Sequence, residues 1–163
     1  MSETNLGELE QLYRARYRRF LRVAAAITGS REAAADAVQE AFARAIRHRF
    51  DFRGEGSLES WVWRTVINAA RTQRVRGMDA RLAEEDPPAS AHASNGHAER
   101  WPELRAAVAS LPERERLVIF LRHYADLSYE QIAETLEIER GTVAATLHAA
   151  HAALRKTIKE VPR

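Results

Sequence analysis

The sequence predicts an all-α fold made of two helical domains, and three observations lead to this prediction. Apolar residues recur at steps of three and four through most of residues 7–76, and again from Trp101 onwards. Serines able to cap a helix precede several of these periodic stretches. Residues 77–100 lose the periodicity and are rich in proline, small and acidic residues, which favours a flexible acidic linker. The predicted organisation is a domain at 1–76, a linker at 77–100 and a domain at 101–163.

The first domain is predicted to contain three helices, and the fold class allows a fourth. Ser30 is a suitable cap for the second helix, after Gly29 has ended the first. The connector "DFRGEGS" (51–57) is rich in turn residues, and its Ser57 can cap the third helix. The predicted bounds are Gly7–Ile27, Ser30–His48 and Leu58–Val75.

Four helices are predicted in the second domain. A short helix from Trp101 to Leu111 is followed by one that begins at Pro112 and reaches about Tyr124. Ser128 and Gln131 have the spacing of a capping box, which marks the start of a third helix. A turn closed by Ile138 leads to the last helix, whose apolar stripe is Val143, Leu147, Ala150, Leu154 and Ile158. Two short helices joined in this way are typical of a helix-turn-helix.

Composition excludes several classes of function. Cysteine is absent, which removes disulfides, thiolate zinc sites and cysteine nucleophiles. There is no glycine-rich phosphate loop and no carboxylate pair spaced for acid–base work, so we expect neither catalysis nor a small-molecule substrate. His148 and His151 could share a metal ion, but no third ligand is evident, so no metal or cofactor is expected. No signal peptide and no membrane-length apolar run are present, which predicts a cytoplasmic protein without a membrane partner.

Charge is distributed unevenly along the chain. Residues 1–76 hold 14 arginines and nine acidic residues, a net charge of +5, whereas residues 77–103 carry −4 and residues 104–163 carry +1. The arginines cluster near residues 14–22 and again at 64–76. Such clusters could face a polyanion, although a solvated helix surface explains any single one equally well.

Two blocks of sequence, in this order, resemble a known family. The first contains "DAVQEAF" (36–42) and "FRGEGSLESWVWRTVINAARTQRVR" from residue 52, and the second is "LPERERLVIFLRHYADLSYEQIAETLEIERGTV" from residue 111. They resemble the two-domain extracytoplasmic-function sigma factors of bacterial RNA polymerase, and the resemblance covers nearly everything except the linker and the extreme ends. It implies sigma region 2 in the first domain and sigma region 4 in the second. The implied function is to bind core polymerase and direct promoter recognition, melting and initiation.

The resemblance also implies roles for residues of the first domain. The helix with "DAVQEAF" would dock on the clamp helices of the polymerase's largest subunit through Asp36, Gln39 and Glu40. The third helix would hold the minus-ten element as single strand, with arginines along the phosphates, Asn68 at a base edge and Trp63 stacked on a base. Trp61 is expected in the core. The predicted minus-ten residues are Trp63, Arg64, Asn68, Arg71, Arg74 and Arg76.

The second domain departs from the family at the helix that would read duplex DNA. Relatives typically show "GTVKSRLHRARAALR", whereas this chain has "GTVAATLHAAHAALR", which removes four basic residues. Glu137 stands where a glycine usually adopts the left-handed conformation, and Glu139 replaces the usual serine cap. Residues 128–151 carry a net charge of −3. The side chains left for the minus-thirty-five element are Arg140, Thr142, Thr146, His148 and Arg155.

Three interpretations of this basic-poor helix remain open. The helix could bind upstream DNA weakly or with assistance, its alanine face could bind a regulator or the chain's own first domain, or upstream reading could be lost. A protein-binding decoy and a stand-alone helix-turn-helix regulator are the alternative functions. The implied partners are core polymerase, through its clamp helices and flap, promoter DNA and an anti-sigma factor.

Overall fold

The computed structural model describes residues 6–83 and 102–160, which form seven α-helices and no strand. The all-α prediction is therefore confirmed. The helices are α1 (Leu6–Thr28), α2 (Arg31–Arg47), α3 (Leu58–Ala83), α4 (Pro102–Ser110), α5 (Glu113–His123), α6 (Tyr129–Leu136) and α7 (Arg140–Glu160), with a 3-10 turn at Arg49–Asp51. Most of the predicted linker lies outside the described residues.

The first domain is a three-helix unit whose starts were readable from the sequence. The Ser30 hydroxyl accepts a hydrogen bond from the Ala33 backbone N–H at 3.3 Å, and the Ser57 hydroxyl accepts one from Ser60 at 3.0 Å. Both predicted caps are confirmed. Its core is aromatic: the ring of Tyr13 contacts that of Phe42, Phe42 contacts Phe20, and Phe20 contacts Trp63.

The third helix is longer than predicted. It continues through Gly77 to Ala83, so the first part of the predicted linker is helical. One glycine inside a helix costs only about 1 kcal/mol, and Met78 and Ala80, which follow it, are good helix formers.

In the second domain α5, α6 and α7 pack on one another, and α4 packs on α7. The predicted capping box is present, because Ser128 accepts from the Gln131 N–H and the Gln131 side chain accepts from the Ser128 N–H. Glu137 ends α6 in the left-handed conformation, with φ of 55°. The stripe of α7 is buried at Val143, Leu147 and Ala150. Ile158, predicted to continue that stripe, is instead 47% exposed.

The two domains pack against each other. Helix α5 lies against α1, and α6 lies against α3. The buried apolar residues of both domains form one continuous cluster. Consequently the third helix of the first domain, which carries the predicted minus-ten residues, is next to the helix-turn-helix. Among the described helices, none is long and apolar enough to cross a membrane.

Candidate polymerase and nucleic-acid interfaces

One face of α3 carries polar and aromatic side chains at successive turns. Trp61, Arg64, Asn68 and Arg71 follow one another at steps of three and four, so they lie along the same side of the helix. Asn68 and Arg71 are exposed, whereas Trp61 and Arg64 are half-buried. Guanidinium groups, an amide and an indole on one surface can together hold the phosphates and bases of a single-stranded nucleic acid.

The two tryptophans of α3 are exchanged relative to the prediction. Trp63, expected to stack on a base, is fully buried with its ring 4.3 Å from that of Phe20. Trp61, expected in the core, is half-buried beside Phe52 of the connector, with ring centroids 5.6 Å apart. The buried side of α3 consists of Val62, Trp63, Val66, Ile67, Ala69 and Ala70. The sequence signal for this buried face was the pair Ala69 and Ala70, which a search for large apolar residues leaves out.

Glu113, in the first turn of α5, binds two arginines of the first domain. Its carboxylate oxygens accept hydrogen bonds from Arg71 Nε at 2.9 Å and from Arg74 Nη1 at 2.7 Å. Desolvation at this site raises the pKa of Glu113, but the hydrogen bonds and charges of Arg71 and Arg74 outweigh it and hold the pKa below its ordinary value. The carboxylate is therefore ionised and paired at neutral pH.

Arg64 is bonded to the turn of the helix-turn-helix. It donates to the carbonyl oxygen of Glu134 at 2.6 Å and pairs with the Glu137 carboxylate at 3.0 Å. The Glu134 carboxylate in turn accepts a hydrogen bond from the Ser57 backbone N–H at 3.2 Å, at the start of α3. We call the contacts of Arg64, Arg71 and Arg74 with Glu113, Glu134 and Glu137 the interdomain clasp.

The residues predicted to dock on polymerase lie on α2, away from the clasp residues. Asp36 and Gln39 are exposed and adjacent on the helix surface. Glu40 is half-buried and engaged within the domain, since its carboxylate accepts from Arg44 at 2.5 Å and lies 3.9 Å from Arg76. Glu40 therefore also positions two arginines, one of them a predicted minus-ten residue.

The start of α7 is held by its neighbours. Arg140 pairs with Glu130 at 2.5 Å, and its guanidinium lies 5.7 Å from the centre of the Tyr129 ring. The Thr146 hydroxyl donates to the Thr142 carbonyl oxygen at 2.7 Å within the helix. Arg140, the cation nearest the predicted duplex contact, is thus already paired with a carboxylate.

The alanine face of α7 is exposed. Its members are Ala144, Ala145, His148, Ala149 and Ala152. Arg155, further along the helix, is also exposed. The interpretation that this face binds the chain's own first domain is not supported, because the clasp is formed by α5, α6 and the turn before α7. The opposite charges of the two domains do meet, but through different residues.

Two histidines meet where the end of α5 lies beside the middle of α7. His123 and His151 have their Nε2 atoms 3.1 Å apart. Burial, then His151 and Arg122, lower the pKa of His123 below its ordinary value. No group of three or more histidine, aspartate or glutamate side chains suited to a metal ion occurs in the described ranges.

The acidic partners in the clasp were not identified from the sequence. The sequence analysis did not single out Glu113, and it noted Glu137 only as an unusual residue in a turn. The available signal was the charge contrast between the first domain, at +5, and residues 128–151, at −3. That contrast predicts attraction but does not say which residues meet.

Comparison with known proteins assigns both domains. The family model for Sigma-70 region 2 matches residues 12–77, and that for Sigma-70, region 4 matches residues 102–154. The RNA polymerase sigma-H factor of Pseudomonas aeruginosa is 32% identical over 145 residues, which span 80% of this chain and 75% of that protein. The ECF RNA polymerase sigma-E factor of Escherichia coli K12 is 32% identical over 143 residues, spanning 78% and 75%. The sigma factor YlaC of Bacillus subtilis is 29% identical over 161 residues, spanning 92% and 91%.

Solved structures agree on the fold. The sigma factor RpoE from Bartonella quintana, in complex with the anti-sigma factor NepR, superposes with a TM-score of 0.72 at 19% identity, covering 96% of this chain and all of that one. CnrH, in complex with the cytosolic domain of CnrY, gives a TM-score of 0.73 at 17% identity, covering 98% and 92%. With both region models matched in order and relatives above 30% identity, the chain belongs to the ECF sigma factors, which direct RNA polymerase to promoters.

Proposed function

We propose that this sigma factor docks on core polymerase through α2 and holds the melted minus-ten strand on α3. The observation that carries this proposal is the single face of α3 on which Trp61, Arg64, Asn68 and Arg71 follow at successive turns. Arginines contact phosphates without regard to sequence, and an indole offers a stacking surface to any base. The amide of Asn68 lies between the arginines and supplies a donor and an acceptor for one base edge.

The same assignment uses binding energy alone to open the promoter. Stacking on Trp61 and pairing of phosphates with arginines favour the unpaired strand over the duplex. Polymerase carries out the phosphoryl transfer, and the factor contributes no catalytic residue or cofactor. Its place of action is that of the polymerase, the cytoplasm.

The second domain makes a weak or assisted minus-thirty-five contact while docked near the polymerase flap. Each phosphate contact contributes about 0.9 to the dependence of log affinity on log salt, so several missing cations lower duplex affinity by orders of magnitude. Arg140 is paired with Glu130, which leaves Thr142, Thr146, His148 and Arg155 as the contacts nearest the groove. The exposed alanines can touch thymine methyl groups.

The decisive experiment joins binding and activity. Purified chain should co-elute with core polymerase and direct run-off transcription from the region upstream of its own gene. A decoy binds polymerase but gives no transcript, and a stand-alone regulator binds DNA but not polymerase. Either of those results would replace the proposal.

Residues of α2 provide a sharper test of docking. Replacing Asp36 and Gln39 with alanine should weaken the affinity for core polymerase at least tenfold, because both side chains are exposed and make no contact that the fold needs. Circular dichroism should show the same helicity and melting temperature as the parent. As a matched control, Glu32→Ala changes another exposed acid of α2, one turn nearer its start, and should leave affinity unchanged. Unchanged affinity in the double variant would remove α2 as the docking surface.

An anti-sigma partner is also proposed for this chain. The sigma factor RpoE of Bartonella quintana was solved with the anti-sigma factor NepR, and this chain shares its fold. The exposed alanine face of α7 is the surface we assign to such a partner, since it is apolar, unencumbered by cations and outside the clasp. Co-purification from the native host, repeated with Ala145→Arg and Ala149→Glu, tests it: loss of the captured protein supports the assignment.

A further inference from the structure

A cleft of about 430 Å³ lies between the two domains. One wall is α3, and the other is built by α5, α6 and the turn that follows α6. Its volume falls within the range of small-molecule sites in proteins, about 300–1,000 Å³. Such sites are mostly apolar and contain a few polar groups that fix the orientation of the ligand. The lining of this cleft has both features.

The apolar part of the lining is aliphatic. Ile67 of α3 and Leu117 of α5 are buried, while Leu136 and Ile138, at the end of α6 and in the turn, are half-buried. Among the residues that line the cleft in the described chain, none is aromatic. Aliphatic side chains bury hydrocarbon without directional contacts, but they offer an aromatic ring no stacking partner. These walls therefore favour a ligand with an aliphatic body.

Thr135, on the α6 wall of the cleft, carries a buried hydroxyl without a hydrogen-bond partner. The residue is 2% exposed, and its Oγ1 atom is unpaired among the described residues. Other threonines in helices of this protein donate to the carbonyl oxygen four residues earlier, as Thr65, Thr72 and Thr146 do. A buried polar atom without a partner is costly, so each one calls for an explanation. An acceptor atom of a ligand in the cleft would satisfy this hydroxyl.

The charged groups of the cleft favour an anion. In the described chain, three arginines and two glutamates line it, which leaves a net charge of +1. Both glutamates are paired with arginines of α3, whereas Arg114 is exposed and forms no side-chain hydrogen bond or ion pair with the described residues. On the opposite wall, the Nε atom of Arg64 is buried and also lacks a partner. One surplus positive charge matches a monoanion better than a phosphate dianion.

We propose that this cleft is a binding site for a small aliphatic monocarboxylate. The carboxylate accepts hydrogen bonds from Thr135 Oγ1 and Arg64 Nε, which come from opposite walls, and the exposed Arg114 adds its positive charge. The aliphatic chain packs on the isoleucines and leucines of the walls. Because the ligand touches both domains, it stabilises by mass action the arrangement in which they are packed together. Binding at this site does not depend on the proposed role of α3 in DNA binding, so its test uses neither polymerase nor DNA.

The probe is sodium octanoate, titrated into the full-length chain and followed by isothermal titration calorimetry. We expect saturable one-to-one binding with a Kd of about 0.1–1 mM. Acetate and inorganic phosphate carry the charge without the chain, and 1-octanol carries the chain without the charge, so each should bind at least about fivefold more weakly. Equal binding of octanoate and octanol would indicate an apolar surface alone, and equal binding of octanoate and phosphate would indicate a general anion site. Either result would overturn the proposal.

Thr135→Val tests the hydroxyl with little change of shape. Removing an unpartnered buried hydroxyl should leave the melting temperature unchanged or higher, while the affinity for octanoate should fall about fivefold. The matched control is Thr157→Val on α7, whose exposed hydroxyl donates to the Ala153 carbonyl oxygen outside the cleft. This control should bind octanoate as the parent does. Parental affinity in Thr135→Val, with the fold intact by circular dichroism, would overturn the proposal.

Arg114→Gln tests the unpaired charge. The affinity for octanoate should fall about threefold, because the variant removes a cation that no carboxylate of the described chain neutralises. The matched control is Arg105→Gln, which removes the charge of an exposed arginine of α4 that likewise has no side-chain hydrogen bond or ion pair with the described residues. The control should bind octanoate like the parent. Equal losses in the two variants would mean that overall charge alone attracts the anion, which contradicts a built site.

The position of bound octanoate can be observed by NMR. In a chain labelled with ¹³C at the isoleucine and leucine methyl groups, nuclear Overhauser effects should connect the octanoate chain with Ile67 on one wall and with Leu117 and Ile138 on the other. The same signals should be lost at equal octanoate concentration in Thr135→Val. Leu6 and Ile158 are exposed apolar side chains outside the cleft. Signals confined to those two residues would place the ligand on the general surface and overturn the proposal.

Discussion

Two helices of this sigma factor are assigned to DNA, and they present opposite problems. Helix α3 has the cations, but the second domain holds Arg64, Arg71 and Arg74 through carboxylate and carbonyl oxygens. Helix α7 is accessible, but alanines stand along its exposed face. Most arginines of α3 are paired with the second domain, whereas the accessible face of α7 has few cations with which to bind phosphate. The difference is therefore one of cation availability: on α3 the arginines are paired with the second domain, and on α7 the exposed face carries few cations.

The two helices also differ in what must move before they can contact DNA. Exposed ion pairs contribute about 0–1 kcal/mol each, so the clasp can be displaced by a larger interface such as that with polymerase. The alanine face of α7 needs no displacement at all.

The largest expected effect separates the two tryptophans of α3. Trp63→Ala should lower the free energy of unfolding by about 3–5 kcal/mol, because it empties the centre of the first domain's aromatic core. Trp61→Ala should cost much less stability, yet reduce run-off transcription, since it removes the stacking surface beside Arg64. Urea unfolding followed by circular dichroism measures the first quantity, and transcription at a temperature where both variants are folded measures the second.

Conservative variants complete this test. Trp63→Phe keeps an aromatic ring in the core and should recover part of the lost stability. Trp61→Phe keeps a stacking surface and should recover transcription. Parental transcription in Trp61→Ala would show that Trp61 is not the base-stacking residue. The next candidate would be Phe52 of the connector, whose ring is beside it.

The next effect concerns the alanine face. Ala144→Lys with Ala149→Arg should raise the affinity for duplex upstream DNA, and each new phosphate contact should add about 0.9 to the salt slope of log affinity. Both positions are exposed, so the substitutions should leave the melting temperature within a few degrees of the parent. Ala106→Lys with Ala109→Arg adds the same charge at exposed positions of the neighbouring helix α4, outside the predicted recognition helix, and should change the affinity and the slope much less. An unchanged salt slope in the α7 variant would mean that this helix does not enter the groove.

Local signals in the sequence predicted most of the fold. Caps at Ser30 and Ser57 and the capping box at Ser128 and Gln131 depend on residues within one turn, and all are present. The exchange of Trp61 and Trp63 shows the limit of periodicity, since two tryptophans two residues apart fit alternative stripes until the small residues of the buried side are included. The two tryptophans were exchanged because alanine was counted neither as a buried nor as an exposed residue.

The clasp could not be read from the sequence for a different reason. Arg64 and Glu137 are far apart along the chain, and nothing in either local pattern specifies the other. The substitution of glutamate for glycine at position 137 was visible, but it was interpreted as a loss for DNA reading. In the structure the same carboxylate is a gain for the interface, because it reaches an arginine that a glycine could not.

The smallest expected effect is a pH dependence of the clasp itself. Desolvation raises the pKa of Glu113, but hydrogen bonds and charges from Arg71 and Arg74 outweigh it, so the pKa in the closed chain lies below the ordinary 4.5. An acid with a lowered pKa favours the closed form above its open-state value and loses that contribution as the pH falls through the closed-state value. Energy transfer between dyes at Ala15→Cys on α1 and Ala109→Cys on α4 should therefore decrease on acidification below about pH 4.5, by an amount that corresponds to less than about 1 kcal/mol for this partly exposed site.

Two variants test whether Glu113 causes this decrease. Glu113→Gln should abolish the decrease in energy transfer, while circular dichroism shows intact helices in the variant and in the parent. His123 has a pKa lowered by burial first and then by His151 and Arg122, and it lies at the end of α5 beside α7, outside the clasp. His123→Gln should therefore leave the decrease in place. If the fall in energy transfer survives in Glu113→Gln and disappears in His123→Gln, the acid-sensitive contact lies within the second domain. The pairing of Glu113 with the arginines of α3 would then not be the contact that responds to pH.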